Sequence, residues 1–248
     1  MTSALPSTST FLPDLTGQRV FVAGGSRAIG LTVAHAAAAA GATAIVGARD
    51  GARARQAAAT IPGAESVQID ITDERSIAAA IAAVGSVDHV VATAAAHHNV
   101  AVTEIDRDKT QAAFQAKVIG PLLLVKHIAP SLPPTGSITL FSGVAAWKPS
   151  PGKVLMGITN GAVSFAAAHL ARELAPIRVN AISPGIIDSG AWDGLGQDKG
   201  EFLTRAAAGT LAGRSGVNPD IADAVMWLIG AGFVSGETIH VDGGARHA

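Results

Sequence analysis

Short β-branched and apolar runs alternate with longer alanine-rich amphipathic runs along most of this 248-residue chain, and few folds accept that order. The runs 19–23, 42–48, 66–70, 89–93, 137–141, 178–183 and 238–241 read as strands. Between them, 29–40, 52–60, 73–84, 108–129, 151–174 and 220–229 carry the spacing of helices. Strands that are apolar on both faces must be covered on both faces, so each is predicted to lie in a parallel sheet with helices on either side. Alanine supplies much of the 48% hydrophobic content, which suits close helix–sheet packing. No linker or internal repeat divides the chain. The expectation is one α/β domain over residues 14–248, a doubly wound Rossmann fold with a seven-stranded parallel sheet. Residues 1–13, polar and rich in Ser, Thr and Pro, are expected to form a flexible tail.

Composition narrows the function classes. A net charge of −1 gives no basic excess for nucleic acid, and the absence of Cys removes thiolate chemistry and Cys-ligated metal. The N-terminus lacks the basic start and apolar stretch of a secretory signal, and the apolar runs are broken before about 20 residues. The expectation is a cytoplasmic protein without membrane, nucleic-acid or metal partners that acts on a small molecule.

The first strand runs into Ala23-Gly24-Gly25-Ser26-Arg27-Ala28-Ile29-Gly30 and then into a helix. Gly24 allows the tight turn, Gly30 allows close helix packing, and the helix N-terminus offers amides to a pyrophosphate. With this motif, the chain resembles the short-chain dehydrogenase/reductase family over almost its full length. The resemblance continues through Asp70-Ile71, through 178–185 ending in Pro184-Gly185, and through 235–244 ending in Val241-Asp242-Gly243-Gly244. The family's middle glycine is Ala28 here. The resemblance implies cofactor contacts at Gly24, Ser26, Ile29, Gly30, Asp70, Ile71, Thr93, Ala94, Asn160, Pro184, Gly185 and Ile187. It also implies a homodimer or homotetramer built through the long helices and the last strand.

A site selective for NAD places an acid at the end of the second strand, to hold the ribose 2′-hydroxyl. Ala48 stands there, followed by Arg49, and the resemblance brings Arg27 to the same ribose. Two guanidiniums and the Ser26 hydroxyl suit a 2′-phosphate, so the expected cofactor is NADP(H). Asp50 would oppose this if it turned inward, and the arginines have an ordinary reading as surface charges.

The family's catalytic set is a Ser, a Tyr-x-x-x-Lys pair and an upstream Asn. The Tyr phenol exchanges a proton with the substrate while the ammonium lowers its pKa. This chain contains no tyrosine. Ser142 aligns with the family Ser, but Met156 stands for the Tyr, Asn160 for the Lys and Lys117 for the Asn. The stretch Ala92-Thr93-Ala94-Ala95 replaces a second Asn motif. A thioether donates no proton and a carboxamide carries no charge, so the standard relay cannot operate.

Lys117 is the foremost substitute. Its ammonium would fill the space left by Asn160, where it would bind the nicotinamide ribose, polarise a carbonyl or release a proton; otherwise it reaches solvent or pairs with a carboxylate. His97, with His98 beside it, follows the fourth strand and is an alternative acid, as is Lys153 more weakly. Trp147 and Trp192 flank the substrate region with Met156. They either stack on a flat substrate or pack down a lid over 188–200. The leading reading is an NADP(H)-dependent oxidoreductase with a non-standard site for a small carbonyl, enone or imine. A non-redox cyclase or dehydratase and an NADP-binding pseudoenzyme are the alternatives.

Overall fold

A computed structural model of the protein describes residues 13–93 and 98–248. The expected tail, apart from Pro13, and the candidates Ala94 and His97 lie outside the described residues.

Seven strands pair in parallel, in the order β3-β2-β1-β4-β5-β6-β9. They are β1 (Arg19–Ala23), β2 (Thr43–Ala48), β3 (Glu65–Gln68), β4 (His89–Ala92), β5 (Ser137–Phe141), β6 (Arg178–Pro184) and β9 (Thr238–Val241). The order reverses between β1 and β4, which opens a crevice at the carboxyl ends of those strands. The central strands β1, β4 and β5 are almost wholly buried, as their continuous apolar runs require. Edge strand β3 is mostly exposed.

The helices divide the core in two. Helix α1 (Ala28–Ala39), α2 (Gly51–Ala58) and α8 (Asn218–Gly230) cover one face with Val33, Ala37, Ala54, Ile221 and Met226. On the other face, α3 (Glu74–Val84), α5 (Gly120–Ile128) and α6 (Val154–Glu173) bury Ile77, Leu124, Ile128, Val163 and Ala167. The helix expected over 108–129 is divided. It runs as α4 (Arg107–Phe114), a π-helical segment Gln115–Ile119 and then α5.

Two small strands, β7 (Ile187–Asp188) and β8 (Gly216–Val217), and helix α7 (Lys199–Ala208) occupy a stretch that the periodicity did not resolve. In contrast with the sequence reading, Arg107–Ser131 and Val154–Glu173 are each long and apolar enough to span a membrane. In this fold both helices cover the sheet, and what they bury there accounts for part of their apolar character, Ile158 and Phe165 of α6 staying exposed.

Candidate active site

The cofactor end forms where β1 turns into α1. Gly24 has φ +97°, and both Gly24 and Gly25 donate their amides to Gly47 O. A side chain at Gly30 would lie 2.2 Å from Gly24 O, so only a bare α-carbon lets α1 start this close to the turn. Thr93 Oγ1 ties the end of β4 to the same turn, 3.2 Å from both Ala23 O and Gly24 O. Ala28 takes φ +50°, the one left-handed non-glycine among the described residues. Ser26 and Ile29 are half-buried and Arg27 is exposed. The start of α1 has no side-chain cap and no acid in its first turn, so its amides remain for an anion, and the cradle fits a pyrophosphate.

At the next strand, Ala48 is buried and Arg49 is exposed. Asp50 caps α2, accepting from Ala52 N at 2.9 Å and Arg53 N at 3.2 Å. Neither Arg27 nor Arg49 forms an ion pair among the described residues. Asp70 accepts from the Thr72 hydroxyl and amide, which hold its carboxyl below the ordinary range, with a smaller contribution from the Arg49 charge. Pro184 ends β6. Gly185 N donates to Val241 O at 3.0 Å, and a side chain there would meet the Asp242 backbone. Ile187 is buried in β7.

The end expected to carry the chemistry lies at the carboxyl terminus of β5. Ser142 is buried, and its hydroxyl donates to Asn160 O and accepts from Ser164 Oγ, each at 2.8 Å. The one proton of the Ser142 hydroxyl thus goes to the Asn160 main-chain oxygen in this structure. Next to it, Gly143 faces the Asn160 carboxamide, and a Cβ at 143 would lie 2.7 Å from Nδ2. The carboxamide occupies the volume that a side chain at 143 would need. Asn160 is itself buried, and its Oδ1 has no hydrogen-bond partner among the described residues. Met156 lies one turn earlier on α6, half-buried on the same helix face.

Lys117 points inward from the π-helical segment, with 4% of its surface exposed. Its Nζ donates to Ser142 O at 3.1 Å, and no carboxylate pairs with it among the described residues. Burial alone pushes its pKa down to about 8, since desolvation penalises the ammonium. The solvent and ion-pair readings of Lys117 are both set aside. Its direction follows from close packing: a Cβ at Gly120 would lie 2.2 Å from Ile71 O, so the helix sits hard against the loop after β3. The π turn precedes that contact and turns Lys117 toward β5.

The remaining candidates separate. His98 Nε2 accepts from Asp106 N at 3.2 Å, a loop contact. Lys153 is half-buried at the start of α6. Trp147 is 41% exposed and meets His240 edge-on, with ring centres 4.9 Å apart. Trp192 donates its indole N–H to Ile187 O and packs on Phe202 of α7, so it fastens the segment expected to form a lid. Lys199 bridges Asp188 at 2.8 Å and Asp193 at 2.7 Å, a second fastening that the sequence reading missed. Gly143 and His240 were also missed. Gly143 stood beside the aligned serine, but its importance appears only once Asn160 is seen against it. Among the described residues, no three His, Asp or Glu side chains cluster for a metal.

Comparison with known proteins agrees with this architecture. A family profile described as Enoyl-(Acyl carrier protein) reductase matches residues 23–246. An uncharacterised oxidoreductase of Methylorubrum extorquens is 32% identical, covering 95% of this chain and 100% of its own. A short-chain dehydrogenase/reductase of Stachybotrys chlorohalonatus is 30% identical over 94% of this chain and 99% of its own. Among solved structures, a small-chain dehydrogenase in complex with NADPH superposes with TM-score 0.82 at 29% identity, covering 93% of this chain and 99% of that one. With the glycine cradle, the parallel sheet and these relatives in agreement, the chain belongs to the short-chain dehydrogenase/reductase family.

Proposed function

We propose that the protein is an NADP(H)-dependent oxidoreductase that transfers hydride without a phenolic acid, to a small carbonyl, enone or imine. The observation that carries the cofactor assignment is the pairing of Arg27 and Arg49, without ion-pair partners among the described residues, with an Asp50 that caps α2. That arrangement leaves two guanidiniums for a 2′-phosphate and engages the Asp50 carboxylate with the first amides of α2. The NADPH in the similar small-chain dehydrogenase supports the same choice.

When bound, the nicotinamide supplies or accepts the hydride, and the protein orients it and shields it from water. The amides at the start of α1 hold the pyrophosphate. Trp192 and Lys199 hold the lid segment against β7. Met156 and Trp147 offer a soft, largely apolar wall without an acidic group. An iminium needs no proton after hydride addition, and an enone can take its proton later from water, so both suit this wall better than a simple ketone. The apolar Ile158 and Phe165 exposed on α6 support assembly into a homodimer or homotetramer.

Titration by nicotinamide fluorescence tests the cofactor. NADPH is expected to bind about ten- to a hundredfold tighter than NADH, with Arg49→Ala removing most of the preference. A substrate panel then tests chemistry, with iminium and enone turnover expected to exceed ketone reduction. Equal affinity for the two cofactors refutes the NADP(H) assignment. Tight NADPH binding with no turnover of any substrate moves the reading to a cofactor-binding pseudoenzyme, which the committed hydroxyl of Ser142 favours.

A further inference from the structure

The loops at the two edges of the sheet treat apolar side chains differently. At the amino edge Leu15, Ile61, Val87 and Leu132 are buried, and among the described residues of those loops Phe233 alone is a large apolar side chain left exposed. At the carboxyl edge, which holds the crevice, Val102 and Ile105 after β4, Trp147 after β5, and Leu195 and Leu211 between β7 and β8 are all exposed. A single exposed apolar residue is ordinary on a protein surface. Five on the edge that carries the crevice mark a surface that receives something.

Contacts between the loops draw these residues around one mouth. A Cβ at Gly152 would lie 3.8 Å from Val100 O, which sets the loop after β4 beside the entry to α6. A Cβ at Gly157 would lie 3.0 Å from Ala145 O, so the loop after β5 lies against the first turn of α6. Lys148 Nζ donates to Gly209 O at 3.2 Å and joins that loop to the end of α7. Trp147 meets His240 of β9, and a Cβ at Gly244 would lie 2.9 Å from the Leu211 side chain, just past the same strand. Met156 continues this surface inward, one turn before Asn160, whose main-chain oxygen holds the Ser142 hydroxyl. A second copy of the chain has a different face available. Val154, Ile158 and Phe165 share one exposed stripe of α6 at helical spacing, and none of the five rim residues belongs to it. We propose that the rim receives the apolar body of the substrate, so that the carbonyl, enone or imine is the reacting end of a hydrophobic molecule rather than part of a polyol or an amino acid. This rests on the reading of the crevice as a place of hydride transfer, and adds to it the polarity of the part of the substrate that does not react.

Calorimetric titration with straight-chain methyl ketones of increasing length tests this, with NADP+ saturating so that no hydride can move. Each added methylene is expected to tighten binding about two- to fourfold while the chain still finds apolar surface. Trp147→Ser combined with Leu211→Ser should reduce that gain to below about 1.5-fold per methylene, while NADP+ affinity stays within about twofold and shows the variant to be folded. Phe233→Ser, at the opposite edge, should keep the native dependence on length. Ketone affinity independent of chain length in the native protein, or a dependence that the double substitution leaves intact, overturns the proposal. So does a native oligomer that the double substitution dissociates in sedimentation velocity, since the rim then lies between copies of the chain. Failure of NADP+ to bind removes the NADP(H) reading alone; the same ketone series on the cofactor-free protein then decides the rim.

Discussion

Replacing Lys117 with Met should change how stability depends on pH, in a direction fixed by burial. The lysine is held at a pKa of about 8 with no compensating carboxylate, against about 10.4 for the unfolded chain. Below pH 8 both states hold the proton, and the folded state carries the full cost of a desolvated ammonium. Between about pH 8 and 10.4 the unfolded chain binds the proton and the folded chain has released it, so stability rises with pH across that window. At about 1.36 kcal/mol for each pH interval of one, the whole window is worth about 3 kcal/mol. Met at 117 keeps the apolar stem and removes the charge. It also forfeits a charge-assisted hydrogen bond to Ser142 O worth about 1.5–3 kcal/mol, so at pH 7 the variant should be as stable as the native chain or slightly more so. By pH 9.5 the native chain should have gained about 2 kcal/mol relative to the variant. Urea unfolding of both proteins at pH 7, 8, 9 and 9.5 measures that difference. The window is unusually clean, because the chain has no Tyr and no Cys to titrate within it. A stability difference that stays flat from pH 7 to 9.5 would refute the premise that Lys117 is a buried ammonium.

Two further outcomes follow from single residues. Ala28→Gly should raise stability by about 1 kcal/mol, seen as an increase of about 2–4 °C in Tm, because φ +50° strains an alanine and not a glycine; an unchanged or lower Tm counts against strain at that turn. His89 bridges Ser137 Oγ at 2.8 Å and Gln18 Oε1 at 2.7 Å, and burial, reinforced by Arg178 and opposed by Asp88, lowers its pKa to about 4. Its neutral form is the folded one, so stability should be lost as pH falls from about 6.5 toward 4, and His89→Gln should flatten that part of an acid titration; an identical slope in the variant would remove His89 as the cause.

The order of strands and helices was readable because each central strand is apolar on both faces, and a sheet covered on both sides explains such runs. Helix α7 escaped notice because it buries no residue fully and is anchored instead through Phe202 on Trp192 and Lys199 on two aspartates. The glycine cradle was legible for the opposite reason: it rests on backbone geometry that few other residues permit. At the reacting end, residue identities were readable and directions were not. Ser142 was found, but its hydroxyl serves Asn160 and Ser164, a fact set by how α6 lies over β5. Lys117 was suspected from a lysine lost and a lysine gained. Its burial depends on a π turn, to which a 3.6-residue period is blind.

The contact between Gly120 and Ile71 has an evolutionary consequence. With a Cβ at 120 only 2.2 Å from Ile71 O, substitution there would lift the helix from the loop and draw position 117 back from β5. An inward lysine at 117 therefore calls for glycine at 120 in this packing. The two positions form a single heritable unit, although only one of them touches the Ser142 backbone.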